Sequence, residues 1–311
     1  MSVASVIIIH FRHDALTDEV LRSLDRHQAQ SPTEVIVVDN ASPSAYKLPA
    51  LQNLSKVRIV RLDPGLGFGG ACQAGIQAAS PENSALPCII LNNDISFDDD
   101  LVGGLVASLG DHPRAGIVAP RIVFPDDRFQ LSWGEHPDLA SEAKERTRQK
   151  QMHEGKGALY EERERQSKTA RLVDWVSGAA FIISHEALTA LGGLESGYFF
   201  YFEDCDWCRR TEQAGKEVWY DPRVTIRHAL GASSPKRDRS PQALRFYRSR
   251  ELGHLLYYAR FNSELQFQAL RAILALKALK LKDFAFSKEL LSRTRRNLLE
   301  KGASLGLNLR Q

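Results

Sequence analysis

The chain has 311 residues, a formal net charge of +3 and four unevenly spaced cysteines. That length supports a large core, as one big domain with an appendage or as two domains, while so small a charge gives no argument for a nucleic-acid partner and the cysteines make no disulfide framework. Met1–Ile9 lacks the basic segment and long apolar run of a secretory leader, and no stretch approaches the roughly 18 apolar residues of a membrane span, so a reducing cytoplasm is the expected setting.

Ser5–His10 opens with a buried strand, and Leu16, Val20, Leu21 and Leu24 follow at helical spacing over Ala15–His27. Glu34–Val38 and Val57–Leu62 read as further buried strands. A glycine-rich helix start follows at Gly67–Ala79, then an apolar strand at Ile89–Leu91, a helix over Leu101–Leu109 and a short strand at Gly116–Ala119. Strands alternating with helices imply right-handed crossovers and a mainly parallel α/β sheet with helices on both faces. Pro125–Arg171 is charged and reads as a mobile or helical insertion. Order resumes over Val173–Ser184, and Phe199–Gln213 follows as a segment whose helix is closed by Ala214-Gly215. Two short strands are expected at Glu217–Tyr220 and Val224–His228. From about Ser240 the chain reads as helical, and Leu265–Leu281, interrupted by Arg271, Lys277 and Lys280, fits either a packed bundle or a membrane interface.

Four successive strands end in polar residues on one edge: His10, Asp39, Asp63 and Asp94. Ligands of open α/β sheets bind outside the carboxyl ends of the strands. Asn92, Asn93 and Asp94 serve as a turn on one reading; on the other, Asp94 holds a hard cation against a diphosphate. Gly65, Gly67 and Gly70 match the dinucleotide fingerprint, but they follow the third strand rather than the first. Cys205 and Cys208 form a C-x-x-C without a second pair, and read as core or helix-face residues. Glu203, Asp204 and Asp206 crowd a helix start behind the aromatic run Tyr198–Phe202. Complementing the helix dipole needs only one of them, and three suggest a base beside a flat, stackable substrate such as a sugar. His228 after a strand is either structural or a metal ligand.

Taken in order, Val6-Ile7-Ile8-Ile9-His10, Val35–Ser42, Gly67–Ala71, Leu91–Asp94, Val176–Ala179 and Phe200–Asp206 resemble the family-2 glycosyltransferases of the GT-A fold, and among them the bacterial rhamnosyltransferase-like members. The resemblance spans residues 3–231, with a C-terminal helical region beyond, which divides the chain at about residue 235. It implies that Asp39 meets the base or ribose and that Asn92-Asn93-Asp94 stands at the D-x-D position. It also implies that Asp94 and His228 hold Mg²⁺ or Mn²⁺, and that Asp204 is the catalytic base. His10, Asp63, Gly67, Phe68, Asn92 and Asn93 would line the nucleotide-sugar site. Trp175, Ser177, Gly178, Glu203 and Trp207 would meet the acceptor. Gly65 and Cys72-Gln73 stand where asparagines are common, and Asn92 replaces the first acid of D-x-D.

The activity so implied is metal-dependent, inverting transfer from a dTDP- or UDP-sugar, with dTDP-rhamnose the first guess. The acceptor would be a hydroxyl of a saccharide or lipid-linked glycan, as in polysaccharide or cell-wall biosynthesis, with the protein cytoplasmic or peripheral on the inner face of the plasma membrane. A nucleotide-binding oxidoreductase and a non-catalytic nucleotide-sugar-binding protein are the alternatives.

Overall fold

The computed structural model describes residues 2–27, 30–31, 33–194, 197–229 and 240–301, without the side chains of 145–150, 153, 241, 242 and 301. The elements run β1 (Ala4–His10), α1 (Asp14–His27), β2 (Thr33–Asn40), β3 (Val57–Leu62), α2 (Gly67–Gln77), β4 (Cys88–Asn92), β5 (Ile95–Ser96), α3 (Leu101–Asp111) and β6 (Ala115–Val123). They continue with β7 (Trp133–Gly134), α4 (Leu139–Glu154), α5 (Ala158–Gln166), β8 (Arg171–Leu172), β9 (Trp175–Val176), β10 (Ala180–Ile183), α6 (His185–Leu191), α7 (Glu203–Gln213) and β11 (Glu217–His228). Four helices close the described chain: α8 (Pro241–Phe261), α9 (Glu264–Lys280), α10 (Phe284–Ser292) and α11 (Arg295–Lys301).

The main sheet has the order β3-β2-β1-β4-β10-β6-β11-β5. β3, β2, β1 and β4 run parallel, β10 is antiparallel to both its neighbours, and β6 is again parallel to β11. Side chains alternate between the two faces. Val6, Ile8, Val35, Val37, Ile89 and Leu91 pack with Val20 and Leu21 of α1 and Leu101 and Leu105 of α3. Ile7, Ile9, Ile36, Val38 and Ile90 pack with Phe68 and Ala71 of α2 and Trp207 of α7. Covering both faces is what makes these strands apolar without interruption. Each such side chain contributes about 1.5–3 kcal/mol by leaving water.

Three expectations need correction. β3 is an edge strand rather than a buried one. Its Ile59 is exposed, and its two arginines reach inward to the carboxylates of β2. The two strands expected between Glu217 and His228 are one strand, β11, whose register against β6 breaks between Tyr220 and Thr225, around Asp221-Pro222. The charged segment Pro125–Arg171 does form helices, but it also sends Phe129, Trp133, Met152 and Tyr160 into buried positions. Trp133 lies against Tyr220 of β11 with ring centroids 5.6 Å apart.

The C-terminal helices build a further core from Leu252, Leu255, Leu256, Tyr258, Phe267, Leu274 and Leu290, and it includes Tyr198 and Cys205 from the α7 region. The expected boundary near residue 235 lies outside the described residues.

Candidate active site

The carboxyl ends of β2, β1 and β4 lie side by side, with His10 paired to Asp39 and Ile9 to Asn92. At about 4.8 Å per strand, Asp39 and Asp63 stand roughly 10 and 14 Å along the edge from the end of β4. The polar residues singled out in the sequence therefore share one edge.

Beyond β4 the chain turns into β5, which pairs with the end of β11 and sets His228 opposite Ile95. This pairing brings Asp94 and His228 together, with Nε2 of the imidazole 3.2 Å from Oδ1 of the carboxylate. Both side chains are about 6% exposed, at the floor of the edge. Nδ1 of His228 lies 2.8 Å from Oε1 of Gln130, and Gln130 donates from Nε2 to the His228 carbonyl at 3.4 Å. That second bond makes Oε1 the amide atom that faces the ring, so Nδ1–H donates to Gln130 and Nε2 is aimed at Asp94. An imidazole nitrogen and a carboxylate oxygen 3.2 Å apart share a proton or a cation between them. Neighbouring oxygen and nitrogen ligands of an octahedral divalent ion sit about 3 Å apart, given bonds of roughly 2.1 Å. The residues therefore fit the ion that the resemblance implies.

Asp204 enters from α7. Its Oδ2 accepts the Gly178 amide at 3.1 Å and its Oδ1 the Cys205 amide at 2.9 Å. Gly178 precedes Ala179, whose carbonyl accepts the Asn92 amide at 2.8 Å. Asp204 thus stands one short backbone link from the end of β4, on the same edge as Asp94. Burial raises its pKa, and the amides of Gly178 and Cys205 offset only part of that rise. Tyr201 and Phe202, immediately before α7, both adopt left-handed backbone, with φ of +69° and +70°. Strain of this kind costs about 1–3 kcal/mol per residue and persists where the surroundings impose it. Here Phe202 stacks on His254 of α8 at 4.4 Å.

Several expected contacts are placed differently. His10 is fully enclosed, its Nδ1 2.7 Å from Thr17 Oγ1 and its ring 4.5 Å from that of Tyr46. It lies under the edge and reaches it through Thr17, to which Asn93 Nδ2 also donates at 3.2 Å. Asp39 is equally enclosed. Its oxygens accept from the Ser42 and Tyr46 amides and from Arg61, so it orders the following loop rather than offering a free carboxylate. Gly67 has φ +73°, and a Cβ there would meet the Phe199 carbonyl at 2.2 Å. The close approach that requires glycine is therefore to the protein itself. Phe68, 8% exposed, packs between Trp207 and Gly178.

Trp207 is a core residue whose indole N–H donates to the Leu194 carbonyl, leaving no ring face for an acceptor. Glu203 is buried with Oε2 unpartnered, and burial, then the neighbouring Asp204, pushes its pKa well up. An enclosed carboxyl offers no surface to an acceptor either. Asp206 accepts from Tyr198, Arg210 and Arg260 and ties α7 to α8. The remaining candidates keep partial access: Asp63 is exposed, Asn92, Trp175 and Ser177 are half-buried, and Gly178 reaches the site through its amide.

Reading the sequence alone missed three residues. Gln130 orients His228, Thr17 links His10 to Asn93, and Arg61 neutralises Asp39. For Gln130 a signal existed: Phe129-Gln130-Leu131-Ser132-Trp133 alternates like a strand inside an otherwise charged stretch.

Residues 5–188 match the model of the family described as glycosyl transferase family 2. The chain is a family 2 glycosyltransferase. This glycosyltransferase is 26% identical over 214 residues to an N-acetylglucosaminyl-diphospho-decaprenol L-rhamnosyltransferase of Mycobacterium tuberculosis, a match covering 64% of this chain and 67% of the relative. Over 51 residues, 16% of this chain and 19% of the other, it is 35% identical to rhamnosyltransferase WbbL of Escherichia coli. Among solved structures, GalNAc-T7 with UDP, GalNAc and Mn²⁺ superposes with a TM-score of 0.54 at 16% identity, over 96% of this chain but only 57% of that one. The mannosyltransferase PcManGT of Pyrobaculum calidifontis, with GDP-Man and Mn²⁺, gives 0.50 at 16% identity, over 98% and 80%. These superpositions establish the GT-A fold.

Two other features of the glycosyltransferase fall outside the edge. Cys205 and Cys208 lie within α7, both buried, and burial drives both thiols well above their ordinary pKa. Such thiols are inert, as expected for core residues. His136, Asp174 and Glu212 cluster toward the opposite end of α7, beside a cavity of about 520 Å³. Their polar atoms already satisfy one another: His136 Nε2 meets Glu212 at 2.6 Å, its backbone amide meets Asp174 at 2.9 Å, and Arg209 flanks Glu212 at 3.6 Å.

Proposed function

We propose that the enzyme transfers a sugar from a nucleoside diphosphate to an acceptor hydroxyl with inversion, using a divalent cation at Asp94 and His228 and Asp204 as the base. The observation that carries this reading is the pairing of an imidazole nitrogen with a carboxylate on the same strand edge as a second, underpartnered carboxylate. When bound, the ion supplies Lewis-acid neutralisation of the departing diphosphate. Asp94 and His228 orient that diphosphate at the end of β4, with Gln130 holding the imidazole. Asp204, its proton affinity raised by burial, takes the acceptor's proton as the hydroxyl attacks the anomeric carbon. Half-buried Trp175 and Ser177 flank the Gly178 amide on the side from which an acceptor would approach.

For the donor we propose a deoxythymidine-diphosphate sugar, with rhamnose the first candidate. For the acceptor we propose a saccharide on a lipid diphosphate carrier, reached from the cytoplasmic side of the membrane. The name of the M. tuberculosis relative supports rhamnose as the sugar and a saccharide on a lipid diphosphate as the acceptor, and the Mn²⁺ in the two superposed structures supports the cation. A thermal-shift panel of dTDP-, UDP- and GDP-sugars with and without Mn²⁺ tests the reading. The expected outcome is a Mn²⁺-dependent rise in Tm, largest for dTDP-rhamnose and absent in Asp94→Ala. A response to every nucleotide sugar that ignores both the metal and the substitution would defeat it.

A further inference from the structure

The C-terminal helices settle one question left open by the sequence and raise another. The inner face of α9 is packed: Phe267, Leu270, Leu274, Ala275 and Ala278 are buried against α8 and α10. The outer face is equally apolar and is covered by nothing among the described residues. Ile273, Leu276 and Leu279 of α9 lie along it, and it continues through Leu281 in the connecting turn to Phe284 and Leu291 of α10. Leu276 is 59% and Phe284 67% exposed, values unusual for such side chains. Single exposed leucines need no explanation, but a contiguous ridge of this kind marks a surface with a partner.

The charges around the ridge identify the partner. Lys280, Lys282 and Lys288 are exposed and make no ion pair among the described residues. The nearby acids are already engaged: Asp283 holds Arg248 through both oxygens, Glu289 pairs with Arg293, and Glu251 takes Lys277. The rim is therefore positive. A second copy of the same face would bring lysines onto lysines and leave the ridge's electrostatics unsatisfied. An anionic bilayer surface satisfies both parts, with leucine and phenylalanine entering the headgroup–acyl boundary and the lysine stems extending to phosphates. No described helix is long and apolar enough to cross a membrane, which leaves the interfacial mode.

We infer that the α9–α10 corner docks the enzyme on an anionic membrane surface. The contact bears on the active site through a short, packed route. Lys277 and Asp283 fix this corner to α8, through Glu251 and Arg248. A Cβ on Gly253 of α8 would lie 3.0 Å from the Tyr201 carbonyl, and His254 stacks on Phe202, the residue that precedes Glu203 and Asp204. The sugar-transfer edge is thus held rigidly by the helix that the docking corner grips. The inference rests on this surface and not on the identity of the donor.

Vesicle flotation of the full chain tests it. Vesicles of phosphatidylglycerol mixed with phosphatidylethanolamine are expected to carry the protein, pure phosphatidylcholine to carry much less, and rising NaCl to release it. Combined Leu279→Ser, Leu281→Ser and Phe284→Ser should weaken binding by at least about tenfold with the circular dichroism spectrum unchanged. If that variant fails to fold, Lys280→Gln with Lys282→Gln and Lys288→Gln provides the second arm, at roughly fivefold per lysine. Vesicle binding that neither salt nor either variant alters would overturn the inference. So would absence of flotation, or a solution dimer that the apolar substitutions dissolve. Donor binding by these variants should match the wild type, so failure here is distinguishable from failure of the transfer reading.

Discussion

Two pairs of carboxylates, one on β2 and one opening α7, are both drawn out of water and respond in opposite directions. Burial pushes Glu34 up, but Ser80 through both its amide and hydroxyl, Asn83 at 2.7 Å and Arg58 outweigh it, and the pKa falls to about 2. Asp39 behaves alike: burial opposes ionisation, yet Ser42, Tyr46 and Arg61 hold its pKa down. At the start of α7 a stronger desolvation meets fewer donors. Asp204 has two backbone amides and no cation, Glu203 leaves an oxygen with no partner, and both are raised. Burial and the supply of hydrogen-bond donors and cations together set the sign. One pair is fixed as anions that order the strand edge, and the other is left able to take up protons.

The largest effect expected from this contrast is on Asp204. Asp204→Asn keeps the shape and one acceptor oxygen but removes the proposed base, and should cut turnover about 10²–10⁴-fold while donor affinity by calorimetry is unchanged. An equal loss of affinity would make Asp204 a structural residue. The raised pKa also places the acid limb of kcat/KM above that of an ordinary aspartate at 3.8, and residual activity of the Asn variant should lack that limb.

On β2 the expected loss is of stability rather than rate. A fall from 4.5 to about 2 makes the ionised Glu34 worth about 3 kcal/mol to the folded state. Because the folded pKa is depressed, this contribution is present above pH 4.5 and disappears as the pH falls toward 2. Glu34→Gln should therefore lower urea stability by about 2–3 kcal/mol near neutral pH, and the gap should close in acid. A gap independent of pH would show that the carboxylate's charge is not what Ser80, Asn83 and Arg58 hold.

The strand edge was legible because it obeys periodic rules. Runs such as Val35–Val38 can only be doubly covered strands, and their terminal polar residues must then share an edge. The pairing of Asp94 with His228 was reachable only through the family resemblance, since the two are remote in sequence and the turn into β5 is too short to be read as a strand. Which face each side chain takes was not legible. Trp207 and Glu203 share a helix with Asp204, and only the packing of α7 on the sheet turns them inward. Gln130 was hidden by the charged composition around it. Residues that orient a metal ligand typically account for about 10–100-fold in metal affinity. Gln130→Leu should raise the Mn²⁺ concentration for half-maximal donor binding by that factor, and an unchanged requirement would mean that His228 is oriented by its strand alone.

The smallest effect, and the sharpest contrast with Glu34, belongs to Glu203. A raised folded pKa means that the folded state keeps a proton which the unfolded chain releases at about 4.5. The wild type is then most stable relative to its unfolded chain in acid and loses that advantage as the pH rises. A glutamine at this position is a neutral isostere of the protonated acid and does not titrate. Glu203→Gln should thus lie within about 1 kcal/mol of wild type near pH 5 and become the more stable of the two by about pH 8. Thermal melts at the two pH values decide it. If the glutamine variant is destabilised equally at both, Glu203 is ionised and partnered, and the number of donors would no longer separate the two pairs of carboxylates.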